Sequence, residues 1–141
     1  SVAQHSVIVT NILKISNKSL EKKWLLASLL HDSAEYIVGD MITPLKSIVG
    51  DSYVNIESKL QSAIHIRFSL PPILPEKIKL LIKKADKQTA FLEATQLAGF
   101  SEREASQVIQ KPKDVPEYKI ITLSAYKAEK LFLNTFKKLS L

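Results

Sequence analysis

Cysteine is absent from this 141-residue chain. That omission excludes a disulfide scaffold, a thiolate nucleophile and any cysteine-ligated zinc or iron–sulfur centre. It fits a cytoplasmic protein, and the first residues lack the layout of a signal peptide. No run approaches the roughly 18 apolar residues needed to span a bilayer, so no membrane association is expected. Glycine is scarce, with three in the chain, and no polar–apolar alternation of any length occurs. The expected class is therefore all-α. Hydrophobic residues make up 45% and charged residues 24%, too apolar a balance for disorder and long enough a chain for one domain with a core. The net charge of +6 points to anionic partners. The basic residues form no stripe with interleaved aromatics, which disfavours nucleic acid.

Apolar periodicity predicts a first helix from Ser1 to about Ile15. A second runs from Leu20 to about Glu35, with Ser19 as its N-cap. Thr43-Pro44 reads as an N-cap and N1 pair opening a short helix to about Ile48. Further helices are expected over about Tyr53–Phe68, from Pro75-Glu76 almost to Gly99, and from the capping box Ser101-Glu102-Arg103-Glu104 to about Ile109. The last helix is expected from about Glu117 to Leu139. The apolar content of Tyr126 to Phe136 leaves room for a homodimer.

Leu29-Leu30-His31-Asp32-Ser33-Ala34-Glu35 drives an apolar run straight into a His-Asp pair. Adjacent side chains on a helix diverge by about 100°, so His31 and Asp32 share a site only if it lies between their directions. Glu35 stands four residues after His31 and three after Asp32, so it projects from the same broad face. Charge in a segment written for burial is costly unless a metal or a hydrogen-bond network compensates, and a metal site is the expectation. With three histidines in the chain, each is weighed singly. His5, near the start of the first helix, reads on its own as a surface or helix-end residue. His65, among apolar neighbours, fits packing or a helix-end hydrogen bond better than a second metal. Asp86 reads equally well facing the lysines beside it or facing inward. His5, His31, Asp32 and Asp86 together offer two imidazoles and two carboxylates, suited to a divalent transition metal.

An early His, a His-Asp doublet and a distant Asp in a helical chain resemble the HD superfamily of metal-dependent phosphohydrolases. Leu30-His31-Asp32-Ser33-Ala34-Glu35, Gly39-Asp40, Thr43-Pro44-Leu45-Lys46 and Lys84-Ala85-Asp86-Lys87 with Phe91-Leu92-Glu93-Ala94 look like its bacterial 5′-deoxynucleotidase branch. The resemblance covers roughly the first 100 residues. It implies a compact helical HD-domain bundle across residues 1–141 with a central metal site. There His5, His31, Asp32 and Asp86 would hold one divalent ion, Mn²⁺, Co²⁺, Fe²⁺, Ni²⁺, Zn²⁺ or Mg²⁺. Glu35 would orient or deprotonate the attacking water. Asp40 joins it among the catalytic positions and would contact the substrate sugar, and Lys46 would meet phosphate. The implied activity is phosphate release from nucleoside 5′-monophosphates or similar small phosphates. Alternatives are another phosphohydrolase reaction, on a phosphodiester or a nucleoside triphosphate, or a non-catalytic nucleotide-sensing module. In that branch a basic-aromatic segment ahead of the first His helps hold the nucleotide; here four residues precede His5.

Overall fold

Every element in the computed structural model, which describes residues 1–39, 48 and 50–141, is a helix. Helix α1 spans Val2–Ser16, and its N-cap Ser1 accepts a hydrogen bond from the Gln4 amide. Helix α2 spans Lys22–Leu29, α3 Ser33–Val38, α4 Asp51–Arg67, α5 Glu76–Gln96, α6 Glu102–Ile109 and α7 Ala125–Ser140. Helix α1 packs against α2, α5 and α7 at once, while α3 lies on α4 and α6 on α5. This central placement is why α1 is apolar on several sides: Ile8, Val9, Ile12 and Leu13 are all buried. They meet Leu25, Leu26 and Leu30 near or in α2 and Ile78, Ile82, Ala85 and Leu92 of α5 in one core. Removing a side chain such as Ile12 from water contributes about 2–3 kcal/mol.

A polar seam crosses this apolar contact. Ser28 Oγ lies 2.7 Å from the Leu25 carbonyl and 3.0 Å from Thr10 Oγ1, and Thr10 donates to the Ser6 carbonyl. Each hydroxyl is buried and satisfied, so the seam fixes the register of α1 against α2 without an orphan polar group.

Three sequence expectations need correction. The second helix starts later, at Lys22, with extended Glu21 as its N-cap and no side-chain cap. It also does not continue to Glu35. The Leu30 backbone leaves the helical region at φ −96°, ψ 7°, and tight turns follow, with the His31 amide bonded to Ser28 O and the Ser33 amide to Leu30 O. The chain restarts as α3 with Asp32 at its N-cap. His31 and Asp32 therefore sit on the corner between two helices, and Glu35 belongs to the second of them.

The last helix begins at Ala125 rather than Glu117, where Ser124 caps it by accepting from the Lys127 amide. The preceding stretch is held open by side chains of α1 and α5. Gln96 bonds the Tyr118 carbonyl and the Ile120 amide, Gln88 bonds the carbonyls of Lys113 and Asp114, and Gln4 bonds the Ile121 carbonyl. These bonds supply partners that a helix would otherwise provide, and they win over its apolar spacing. Ala128, Phe132 and Phe136 of α7 then turn inward, leaving Tyr126, Leu131 and Leu133 exposed.

Other boundaries agree closely with the pattern. Pro75 stands at the N-cap of α5, and Ser101 and Glu104 form a reciprocal capping box on α6. Gly39 follows α3 at φ 83°, a left-handed conformation that favours glycine. The short helix expected after Thr43-Pro44 lies outside the described residues.

Candidate metal centre

Three chain segments separated in sequence meet at one point. His5 comes from the first turns of α1, His31 from the corner after α2, and Asp86 from the middle of α5. One ligand atom from each lies within 4.8 Å of the other two. His5 Nε2 is 2.9 Å from Asp86 Oδ1, and His31 Nε2 is 3.7 Å from the same oxygen. The two imidazole rings are 5.7 Å apart, centre to centre. Asp32 stands beside this group, outside the mutual 4.8 Å set; its Oδ2 is 3.2 Å from His31 Nε2 and 3.9 Å from His5 Nε2. Of the four proposed ligands, three converge and the fourth flanks them.

The imidazoles are oriented from behind. His31 Nδ1 lies 2.7 Å from the Ser28 carbonyl, which only accepts, so that nitrogen carries the proton. His31 Nε2 is thereby directed into the cluster. It is fully buried yet makes no well-directed hydrogen bond to any described residue, despite the neighbouring Asp32 and Asp86 oxygens. A buried nitrogen left in this way is costly, and a cation accepting its lone pair is the arrangement that fits it. His5 Nδ1 lies 3.0 Å from both oxygens of Glu93. No role for Glu93 follows from the sequence pattern alone; the available signal is its spacing, seven residues and so two turns after Asp86 on one helix face.

The electrostatics without a cation follow from these distances. Burial opposes charging His5, but Asp86 and Glu93 outweigh it and push its pKa up to about 9. Burial likewise opposes charging His31, and Asp32 and Asp86 prevail, raising it to about 10. Asp86 responds in the opposite sense. Its partial burial disfavours the anion, yet the charge of the neighbouring His31 and His5 imidazoles holds its carboxyl well below the usual carboxylate range. The carboxylates thus hold protons on the imidazoles when nothing else compensates their charge. Two imidazoles and carboxylates around one point suit a divalent transition ion better than a hard, oxygen-seeking one.

A cleft of about 500 Å³ opens beside the cluster, lined by His31, Asp86 and Glu35. Ala27, Val54, Leu74 and Ile82 form an apolar part of its wall, and Lys79 and Lys83 of α5 add positive charge. The candidate acid–base residue therefore shares a cavity with two of the converging ligands. Asp40 and Lys46 lie outside the described residues.

In the wall of the same cleft, Gln61 braces the corner that carries the doublet. Its Oε1 accepts from the Ala34 amide, and its Nε2 donates to the Leu30 carbonyl and to His65 Nε2. His65 Nδ1 donates to the Pro72 carbonyl. Both ring nitrogens of His65 are committed to hydrogen bonds, which matches the expected packing role.

No family model matches the chain. It is 49% identical over 115 residues to an uncharacterized protein of Rhodobacter capsulatus, RCAP_rcc00048, a stretch covering 82% of this chain and 59% of that protein. Over 79 residues it is 29% identical to the uncharacterized protein YfdR of Escherichia coli K12, covering 56% of this chain and 40% of YfdR. The chain thus spans between two fifths and three fifths of the curated relatives it matches.

Proposed function

We propose that this chain is an HD-type metal-dependent phosphohydrolase that releases phosphate from nucleoside 5′-monophosphates or similar small phosphates. The observation that carries the reading is the convergence of His5, His31 and Asp86 around a buried, undirected His31 Nε2 at the edge of a cleft. Motif order adds support, because the doublet, the later Asp and the intervening acidic residues resemble the nucleotidase branch.

In this reading His5, His31, Asp32 and Asp86 hold one divalent cation. When bound, the cation supplies Lewis acidity toward a phosphoryl oxygen. Glu35 takes the proton of the attacking water, a role worth about 10²–10⁴ in rate for a well-placed base. Lys79 and Lys83 favour an anionic substrate in the cleft, and its apolar wall receives the uncharged part of the molecule. Asp40 and Lys46 are assigned to the sugar and the phosphate by resemblance.

The test is metal analysis of the purified protein together with phosphate release across nucleoside monophosphates, a phosphodiester and a nucleoside triphosphate. Monophosphate turnover dependent on a divalent ion, falling about 10²–10⁴-fold in Glu35→Gln, is expected. Equal activity in wild type, Glu35→Gln and Asp32→Asn refutes the mechanism. Turnover confined to the diester or the triphosphate refutes the substrate class.

A further inference from the structure

Helix α5 touches His5 at both ends of its ring. Asp86 and Glu93 are seven residues apart, which places them about 10.5 Å apart along the axis and nearly on one face. Helix α1 packs across that face, and the His5 imidazole lies between the two acids. Its Nε2 is 2.9 Å from Asp86 Oδ1, and its Nδ1 is 3.0 Å from Glu93 Oε1 and Oε2 alike. The Glu93 side chain is 29% exposed and that of His5 18%, so the contact is sheltered and less screened than a surface pair.

We propose that Glu93 is the positioning residue for His5, the carboxylate of a carboxylate–histidine–metal relay. The assignment rests on the metal-centre reading above. An ionised carboxylate can only accept, so pairing with Glu93 places the ring proton on Nδ1 and leaves the Nε2 lone pair for the centre. Two oxygens at equal distance oppose rotation of the ring about its Cβ–Cγ bond. The negative charge also strengthens Nε2 as a donor, an effect that a neutral acceptor supplies more weakly. The two imidazoles are thus unequal, His5 backed by a carboxylate and His31 by the Ser28 carbonyl at 2.7 Å. One helix supplies both a ligand, Asp86, and the group that aims a ligand of another helix. This coupling makes the site sensitive to the register of α1 on α5.

The experiment is Co²⁺ titration of the metal-free protein followed by visible absorption, with thermal melting of each metal-free variant alongside. Glu93→Gln keeps an acceptor for the Nδ1 proton and removes the charge; Glu93→Ala removes both. Affinity for Co²⁺ is expected to fall about 10-fold in Glu93→Gln and about 100-fold in Glu93→Ala, with an altered absorption envelope. A role limited to tying α1 to α5 predicts lower melting temperatures with unchanged Co²⁺ affinity, and that result overturns the assignment. If Glu93→Ala does not fold, Glu93→Gln decides alone: affinity within about threefold of wild type rejects the relay. Failure of the wild type to bind Co²⁺ overturns the metal-centre reading itself, and the relay with it.

Discussion

In the proposed reading a cation at this centre must compete with protons, and the competition has a calculable slope. Without a cation His5 is held at about 9 and His31 at about 10, so between pH 6 and 8.5 both imidazoles carry a proton that a ligand nitrogen must release. Two protons leave per ion bound. Apparent affinity should then rise about 100-fold per pH unit over this range, equivalent to about 2.7 kcal/mol between pH 7 and pH 8. The sign for metal-free stability is the reverse. Both histidines have folded pKa values above the unfolded 6.5. The folded state therefore holds more protons, and the stabilisation is complete below about pH 6.5 and lost as pH climbs through 9 to 10. Asp86 contributes stability above its unfolded value of 3.8 that is lost as pH falls. The metal-free melting temperature should accordingly decline from pH 7 to pH 10, while the increment on adding metal grows. Calorimetric titration with Co²⁺ in buffers of different ionisation enthalpy counts the protons directly. Release of fewer than about half a proton per ion, or an affinity flat from pH 6 to 8.5, would refute the reasoning.

Two further outcomes concern the scaffold. Gln61→Ala removes three hydrogen bonds and strands the Ala34 amide at the corner carrying His31, while the Leu30 carbonyl keeps the Ser33 amide. It should destabilise the metal-free protein by about 1–3 kcal/mol in urea unfolding, and a loss below about 0.5 kcal/mol would show that water takes over these bonds. Ser101→Ala removes the acceptor for the Glu104 amide at the start of α6 and should cost about 1 kcal/mol. An unchanged urea midpoint would mean that α6 unfolds before the remainder.

Local chemistry was readable where the deciding interaction lies within a few residues. The helical class, the capping box at Ser101 and the entry of α5 at Pro75 all depend on the preceding or following turn. The burial of Ile8, Val9, Ile12 and Leu13 follows from spacing in the same way. Where distant partners decide, spacing misleads. The pattern from Glu117 onward suits a helix, but Gln4, Gln88 and Gln96 bind the backbone of residues 113–121 and keep it open. The corner at Leu30–Asp32 is similar, because Gln61 of α4 supplies the partner that lets the chain turn there.

The sequence by itself determined the kinds of group available: no thiolate, two imidazoles and two carboxylates in the proposed ligand set, and a histidine inside an apolar run. It also determined the helices that carry most of them, since amphipathic period and caps act over a turn or two. Residue spacing left open which way Asp86 faces, and only the resemblance grouped His5 with residues more than twenty positions away; the tertiary structure alone brings His5 against Asp86 and puts Glu93 behind His5. Those choices depend on how α1 crosses α5, a matter of packing between surfaces that periodicity within either helix does not encode.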